Sequence, residues 1–513
     1  MNIRNLDHSR LFDVHRWSDH PEVNNFVDLL YEAHIRSLEP TDRKPTQDKN
    51  PYRKALKTLL IDLYVGWVDD SLLVTAFSRS NSTYRQGRYN ELHISPKVKD
   101  VVDQLVDAGY LLEKPGFKDR RKGGSGRVSR IWPTTRLEDL FRDARFGVAD
   151  VVISAPDRER VILKKGKDED PKKGLIDYRD TDQTRAMRDQ LVRYQALLDR
   201  HHIDVCSLEE PVIKQGNGLL RIGREHVFIC RIFNDGSFDR GGRYFGGWWQ
   251  IIPKKLRRDI CIDGQFIVEK DFSSLFPRMI YCLEGITPPD DPYGIDLSGL
   301  AYADMPPKDG RGLIKKMLNT MFNKRPGQSI LRIVGDEHRA AGVPTDDIRA
   351  AIHRVEELNH PIRDWFDSGA GTYLMNLESR ITEILIDKAI EEDEVILTVH
   401  DSYLVRNDKE QWLEKLLRDA CQQVLGGEMK LKTENEIGDS LFRHQWRTGQ
   451  ISGAADISAI SNSHYNLMME VQRERPIPEW KAGYRKRWRA FKEEGIERKK
   501  VRKKVELGGG LGG

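Results

Sequence analysis

The chain has 513 residues, and its 84 Lys and Arg against 80 Asp and Glu give a formal net charge of only +4. This length corresponds to roughly two to four domains. No run approaches the roughly 18 apolar residues that a bilayer span needs, and the N-terminus lacks the apolar core of a signal peptide. The five cysteines are scattered without CxxC spacing, which argues against a disulfide scaffold or a zinc ribbon. We therefore expect a cytoplasmic protein without a membrane partner.

The small net charge conceals two basic islands. Residues 114–136 carry a local charge of +7 and residues 471–504 a charge of +9, which leaves −12 for the remainder. Such islands on an acidic chain favour a polyanionic partner, although a charged loop and a solvated helix give the same numbers.

The first predicted domain, residues 1–150, contains one clear unit. Apolar residues at helical spacing predict a helix over 51–66. A second helix, which Ser95 and Pro96 open and Gly109 ends, precedes a strand, a basic glycine-rich hairpin and another strand. This order is typical of a winged helix, whose hairpin contacts phosphates. A solvated hairpin and a protein-binding module are the alternatives. The expected hairpin contacts are Arg120, Arg121, Lys122 and Arg127.

Three further segments follow in chain order. Residues 151–225 are predicted to form a connecting, thumb-like region with a helix over 183–202, and residues 226–450 a catalytic region. Residues 451–513 form a basic C-terminal extension, whose glycine-rich end reads as a flexible tail.

Two aspartates follow predicted strands in the catalytic region. Asp271 ends the strand-forming stretch IDGQFIVEKDF, just before a predicted helix, and Asp401 occupies the turn of the hairpin EVILTVHDSYLV. Two carboxylates on adjacent strands can hold two Mg²⁺ ions about 3.5–4 Å apart, and these ions stabilise the attacking and leaving oxygens of phosphoryl transfer. Two cap or turn aspartates are the structural alternative.

A cationic helix face lies between these aspartates in the sequence. In RGLIKKMLNTMFN, Arg311 and Lys315 are four residues apart, and Asn319 and Phe322 continue the same face. Two cations followed by an aromatic residue suit a triphosphate under a stacked base.

These residues carry a resemblance to palm-type polymerases over about residues 230–435. DFSSLFP (271–277) resembles motif A in its family B form, DFxSLYP, and KKMLNTMF (315–322) resembles the family B motif K-x3-N-S-x-Y. The Arg311–Lys315 spacing equally resembles the R-x3-K of family A and of phage-type RNA polymerases. VHDS (399–402) resembles motif C of family A DNA polymerases (VHDE) and of single-subunit RNA polymerases (HDS). It departs from the family B form DTDS, because Val399 replaces the first aspartate.

The resemblance implies an α+β fold, a right-hand palm of antiparallel strands and helices with helical fingers, preceded by the winged-helix-like domain. Asp271 and Asp401 would bind two Mg²⁺ ions, with Mn²⁺ as an alternative and the Phe272 carbonyl as a further ligand. Lys315 would also supply a proton to the leaving pyrophosphate. The expected nucleotide contacts are Arg311, Lys315, Lys316, Phe276, Asn319 and Phe322. GGRYFGGWWQIIP (241–253) resembles the stretch that positions primer–template, through Arg243 and Gln250.

Phe276 favours DNA synthesis over RNA synthesis. It lies five residues after Asp271, where polymerases that select deoxynucleotides carry a bulky gate against the ribose 2′-hydroxyl, and where phage-type RNA polymerases carry a small residue. A core aromatic on an amphipathic helix is the structural alternative. Glu269, two residues before Asp271 and on the same strand face, is either a third carboxylate of the site or an exposed strand residue.

We therefore expect a template-directed DNA polymerase that extends a primer 3′-hydroxyl with dNTPs, resembling those of phages, plasmids and integrated elements. Its partners would be a DNA primer–template and dNTPs. An RNA polymerase, primase or reverse transcriptase on the same palm is one alternative. A DNA-binding replication initiator with an inactive palm is an alternative of another class.

Overall fold

A computed structural model describes residues 4–39, 50–117, 126–151, 155, 157–166, 174–215, 218–324, 326–433 and 480–508. It combines helices with mainly antiparallel sheets, which confirms the expected α+β class. The wing residues Arg120, Arg121 and Lys122 lie outside the described residues, as do residues 451–479 of the predicted extension.

The strands are numbered in chain order. They are β1 (Ser9–Leu11), β2 (Val74–Phe77), β3 (Leu111–Lys114), β4 (Ser129–Pro133), β5 (Val161–Leu163), β6 (Ile203–Val205), β7 (Val212–Gln215), β8 (Gly218–Arg221), β9 (Cys230–Phe233), β10 (Gly241–Phe245), β11 (Ile260–Ile262), β12 (Gln265–Phe272), β13 (Leu397–Val399), β14 (Ser402–Arg406) and β15 (Leu431–Thr433).

The α-helices are numbered in the same way. They are α1 (Pro21–Leu30), α2 (Pro51–Asp69), α3 (Val98–Asp107), α4 (Thr135–Arg142), α5 (Asp182–Asp199), α6 (Lys254–Arg257), α7 (Leu275–Leu283), α8 (Pro307–Asn323), α9 (Ile330–Ala340), α10 (Thr345–Leu358), α11 (Gly371–Glu392), α12 (Glu410–Leu425) and α13 (Ala482–Gly508).

The chain divides into two compact units. The first comprises residues 1–160, 177–179 and 210–228, and the second comprises residues 161–176, 180–209 and 229–513. The predicted segment 1–150 lies wholly in the first unit, whereas residues of the predicted segment 151–225 belong to both. The predicted segments 226–450 and 451–513 lie in the second unit, except for residues 226–228.

In the first unit a four-stranded sheet, in the order β1-β2-β4-β3, accompanies helices α1 to α4, and β7 pairs with β8. Helix α2 confirms the predicted first helix. It begins after Asn50, whose side chain accepts hydrogen bonds from the backbone N–H groups of Tyr52 and Arg53. Helix α3 begins at Val98, two residues later than expected, because Ser95 to Lys97 form a tight turn. It ends before Gly109, whose φ of +76° suits glycine.

The outward side of α3 is acidic. Asp100, Asp103 and Asp107 are all exposed, while Val98, Val101 and Leu105 are buried. Arg79 pairs with Asp103, so part of this negative charge is neutralised. After α3, the strands β3 and β4 pair in an antiparallel hairpin. An antiparallel bridge between Phe117 and Arg127 lies at the base of this hairpin.

In the second unit the largest sheet has the order β13-β14-β12-β11-β6, and β15 pairs with the C-terminal part of β12. A three-stranded sheet of β10, β9 and β5 also belongs to this unit. Trp249 and Tyr403 are fully buried, and the Trp249 indole donates to the Thr398 carbonyl at 3.1 Å. The central strand β12 ends at Asp271 and Phe272, and α7 begins three residues later.

Candidate active site

The pairing of β12 with β14 brings the two predicted aspartates close together. Asp271 lies directly opposite Ser402 in this antiparallel register, and Asp401 immediately precedes Ser402. Paired residues of antiparallel strands have Cα atoms roughly 5 Å apart. His400 and Asp401 form the turn between β13 and β14. His400 has a φ of +55°, an uncommon conformation for a side-chain-bearing residue that recurs at functional sites.

Glu378 is a third carboxylate beside these two. It lies on α11 and is only 1% exposed. Burial raises the pKa of Glu378 to about 7; Arg243 opposes this rise, while Asp401 and Asp271 add to it. Among the described residues its Oε1 atom has no hydrogen-bond partner. The three carboxylates therefore share one region of negative potential.

The sequence analysis missed Glu378, although the sequence contains a signal for it. Leu374, Leu377, Ile381 and Leu385 form the buried stripe of α11, and Glu378 falls within this stripe. A carboxylate on the apolar face of a long helix is rare without a partner. Its partner is distant in sequence, so no local motif marks it.

Arg243, on β10, is that partner. Its Nε donates to Glu378 Oε2 at 3.0 Å, and its guanidinium lies 6.0 Å from the centroid of the Phe276 ring. Burial disfavours the charged guanidinium, but Glu378 and Asp401 outweigh this effect and raise the pKa of Arg243. Arg243 thus links the buried carboxylate to the residue expected to form the ribose gate.

Phe276 itself is half-buried on the first turn of α7. The next residues along this helix, Pro277 to Tyr281, are buried. Phe276 therefore remains partly accessible to a ligand, whereas a core aromatic residue would be buried like its helical neighbours.

Asp271 and two residues near it on β12, Phe272 and Glu269, contact partners within the fold. Lys432, on β15, places its Nζ 3.1 Å from Asp271 Oδ2. Phe272 is buried, and its ring packs edge-on against Tyr403 with centroids 6.1 Å apart. Glu269 is also buried, at 1% exposure, and accepts from Arg257 at 2.9 Å. Glu269 is therefore not an exposed strand residue.

Helix α8 carries the expected cationic face. Arg311 forms a bidentate ion pair with Asp291, at 2.7 and 2.9 Å, and this pairing raises the pKa of Arg311. Lys315 is exposed and forms no ion pair with any described residue. Lys316 instead pairs with Glu337 of α9. The structure thus distinguishes Lys315 from Lys316, to which the sequence assigned the same role.

Tyr293 links α8 to the aspartates. It is 3% exposed, and the Arg311 guanidinium lies 5.1 Å from its ring centroid. Burial raises the pKa of Tyr293 strongly; Arg311 opposes this rise, while Asp291 and Asp401 add to it. Arg311 and Asp401 therefore both act on one buried tyrosine that the sequence motifs did not indicate.

Two expected contacts lie inside the fold. Phe322 is fully buried and packs against Phe366, with ring centroids 5.6 Å apart. The Gln250 amide donates to the carbonyls of Tyr244 and Thr398, at 2.9 and 3.0 Å, and accepts from Gly246 N–H. Both side chains hold neighbouring elements together in the structure as it stands.

Arg127 is the one expected hairpin contact within the described residues. It is half-buried. Its guanidinium lies 5.6 Å from the Phe117 ring and 3.6 Å from Asp7.

Asp271 and Asp401 are the carboxylates that the sequence predicts to hold a divalent cation. In the part of the chain that the structure describes, no group of three carboxylate, imidazole or thiol side chains is close enough to enclose a metal ion. Mg²⁺ needs fewer protein ligands, because one or two carboxylates with waters and substrate phosphates complete its octahedron. Asp271 and Asp401 supply the two carboxylates of that minimum, while Lys432 beside Asp271 and Arg243 beside Glu378 offset part of the negative charge.

Comparisons with known proteins give a structural match but none by sequence. No protein-family model matches this chain, and no curated protein matches it. Among solved structures, the chain is similar to the POL domain of Pol1 from M. smegmatis in complex with DNA primer-template and dNTP, at 13% identity and a TM-score of 0.28. The match covers 49% of this chain and 52% of that one, so it spans about half of the solved structure. A match at this level does not establish a shared fold.

No α-helix in the described ranges has the length and apolar character that crossing a membrane requires.

Proposed function

We propose that this protein is a template-directed DNA polymerase that extends a primer 3′-hydroxyl with dNTPs. The observation that carries the proposal is the register of β12 and β14, which sets Asp271 beside Asp401. The buried carboxylate of Glu378, whose pKa responds to both aspartates, supports the same centre. We further propose a palm-and-fingers organisation of the family A-like kind found in phages, plasmids and integrated elements.

Asp271 and Asp401 would hold two Mg²⁺ or Mn²⁺ ions, with the Phe272 carbonyl as a further ligand. Such ions neutralise the charge that develops on the attacking and leaving oxygens in phosphoryl transfer. Glu378 keeps Arg243 in place through its hydrogen bond. Since catalysis of this kind is mainly positioning and charge stabilisation, the rigid strand ends that present the two aspartates are the central element.

The triphosphate would lie along the exposed face of α8. Lys315 is available to contact the phosphates and to protonate the departing pyrophosphate. Arg311 would exchange its ion pair with Asp291 for the triphosphate. Asn319 and Tyr293 border the same region. Lys316 and Phe322 support the helix through Glu337 and the buried core, and we assign them no direct nucleotide contact.

Phe276 would act as the steric gate against the ribose 2′-hydroxyl. Its half-buried position supports this role, as does the guanidinium of Arg243 near its ring. The gate favours DNA synthesis over the RNA polymerase or primase alternative, and it does not report whether the template is DNA or RNA.

The winged-helix-like part of the first unit would hold nucleic acid through its hairpin. Arg127 at the hairpin base, with Arg120, Arg121 and Lys122, supplies the positive charge for phosphate contacts. We do not expect α3 to enter a groove, because its exposed Asp100, Asp103 and Asp107 would repel phosphates.

Extension of one labelled primer on DNA and RNA templates, with dNTPs or NTPs, tests the proposal. Wild type should extend the primer with dNTPs when Mg²⁺ is present. Asp271→Asn and Asp401→Asn should each lower the rate about a thousandfold, the equivalent of several kcal/mol of lost transition-state stabilisation.

The matched control is Asp263→Asn. Asp263 lies at the β11–β12 turn with a φ of +51°, a conformation that asparagine adopts readily, so its rate should match wild type. Efficient extension with NTPs would replace the proposal with the RNA polymerase reading. Activity that survives both aspartate substitutions would contradict the metal assignment. Duplex binding without any extension would favour the replication-initiator alternative.

A further inference from the structure

The C-terminal helix α13 has one face built into the second unit. Tyr484 is fully buried and packs with Cys206, Cys261 and Phe266 of the large sheet. Arg487 places its Nε 2.7 Å from Asp204 Oδ2. The basic C-terminal extension is therefore not a separate tail in this region, because its first turns complete the core of the sheet that carries Asp271.

The aromatic residues Trp488 and Phe491 lie on the same face of α13 as Tyr484. The rings of Trp488 and Phe491 stack with centroids 6.0 Å apart, and the His202 ring contacts both, with centroid distances of 5.1 and 5.2 Å. A Cβ built on Gly264 would lie 3.3 Å from the Trp488 indole nitrogen, so the helix sits tightly against the β11–β12 turn. The apolar face of α13 is thus already occupied by the protein.

The opposite face of α13 is cationic and exposed. Its exposed basic residues are Arg485, Lys486, Arg489 and Lys492, and the exposed Glu493 lies among them. Lys492 also places its Nζ 5.0 Å from the centroid of the Trp488 ring. Arg485, Lys486 and Arg489 form no ion pair within the described part of the chain. Arg485 and Arg489 are one helical step of four residues apart, about 6 Å along the axis. The sequence continues this composition with six further Lys and Arg between residues 497 and 508.

Helix α13 packs on the end of β12 that is farther from the candidate active site. Phe266, which packs against Tyr484, precedes Asp271 by five residues on this strand, a distance of about 17 Å.

We propose that the exposed face of α13, formed by Arg485, Lys486, Arg489 and Lys492, binds the phosphate backbone of double-stranded nucleic acid. This inference depends on the proposed function only because it takes nucleic acid as the ligand. Phosphate contacts of this kind hold a duplex without reading its sequence. The inward face of the helix is part of the fold, so the cations are presented from a fixed surface.

The charge pattern favours nucleic acid over two other anionic partners. An amphipathic helix that binds membranes inserts its apolar face into the lipid, and that face of α13 is buried against the sheet. An acidic protein would be expected to pair with an interface that contains a cluster of apolar anchors, whereas Ile496, at 54% exposure, is the one exposed large apolar side chain of α13 among the described residues.

Binding of labelled double-stranded DNA to the full-length protein, without nucleotide or metal and over a range of KCl concentrations, tests the proposal. Replacing Arg485, Lys486, Arg489 and Lys492 together by alanine should weaken binding at least about tenfold. Each lost phosphate contact reduces the slope of log K against log salt by about 0.9, so the slope should fall by up to about 3.6.

The control variant replaces by alanine four exposed cations elsewhere in the same unit, each of which pairs with a carboxylate of the protein: Arg200, Arg349, Lys388 and Arg418. It changes the net charge equally, so it should change the slope by less than one contact. Thermal unfolding of both variants should match wild type, because all eight side chains are exposed.

An unchanged slope in the α13 variant, or an equal loss in the control, would overturn the proposal. Retained DNA binding with lost binding to anionic phospholipid vesicles or to polyglutamate would also overturn it, in favour of that other partner. If wild type binds duplex through this face but extends no primer, the proposed function fails while this inference stands.

Discussion

Glu378→Gln removes one ionisable group from the interior of the candidate site while it preserves the shape of the side chain. Glu378 is fully enclosed, and burial raises its pKa from the ordinary value of 4.5 to about 7; Arg243 opposes the rise, and Asp401 and Asp271 add to it. The amide of the variant still presents an oxygen to Arg243, so the contact persists without the titration.

The sign of the effect follows from proton binding. Because the pKa is higher in the folded protein, the folded state holds the proton more tightly than the unfolded chain between about pH 4.5 and pH 7. The free energy of unfolding of wild type therefore loses a contribution from Glu378 as pH rises through this window. At about 1.4 kcal/mol per pKa unit, the loss amounts to about 3 kcal/mol. The variant lacks this loss, so its stability relative to wild type should improve by that amount.

Equilibrium urea unfolding of wild type and Glu378→Gln, in a chelating buffer at a series of pH values, measures this difference. Other titrating groups are common to both proteins and largely cancel. A stability difference that stays constant from pH 4.5 to pH 7.5 would refute the reasoning. So would a wild type that gains stability over the variant as pH rises, because the Arg243 ion pair would then dominate burial and lower the pKa.

Three further predictions concern nucleotide selection by Phe276, the packing of Tyr484 in the core, and the different roles of Lys315 and Lys316. Phe276→Ala should raise the use of NTPs relative to dNTPs by up to about 100-fold, since a steric gate against one hydroxyl supplies about that much discrimination; primer extension with each nucleotide set measures the ratio. Tyr484→Ala should lower the free energy of unfolding by about 3–5 kcal/mol, because it leaves a cavity in the core of the large sheet, as urea unfolding would show. Lys315→Ala should raise the KM for dNTP and lower kcat, whereas Lys316→Ala should change neither by more than about threefold, because Lys316 is an exposed ion-pair residue.

Each of these predictions has a clear contrary result. An unchanged NTP to dNTP ratio in Phe276→Ala would make that residue a core aromatic only. Arg485→Ala, an exposed neighbour on α13, should change stability by less than about 0.5 kcal/mol. A comparable loss in this control would mean that the assay does not report the buried contact of Tyr484. Equal effects of Lys315→Ala and Lys316→Ala would contradict the separation of the two lysines.

Local sequence patterns were sufficient for several elements. The helix predicted over 183–202 is observed as α5, Asp182–Asp199, capped by Thr181. The strand that ends at Asp271 and the hairpin that turns at Asp401 are also observed. These features depend on periodicity, caps and turns within about twenty residues, which is the range over which the chain's own composition controls its backbone.

The C-terminal region shows where such reasoning stops. Its charge alone indicated a polyanionic partner. The buried contacts of Tyr484 with Cys206 and Phe266 also make part of α13 a structural element. The charge pattern describes the exposed face, and only packing shows that the other face completes a core.

The sequence by itself determined the order of the chemical groups: an aspartate after a strand, a cationic helix, and an aspartate at a hairpin turn. The tertiary structure decided which groups meet. The register of β12 with β14, the burial of Glu378 against Arg243 and the ion pair that joins Lys316 to Glu337 all involve residues outside one local motif. Burial and electrostatic coupling depend on distances in space, and no local pattern contains them.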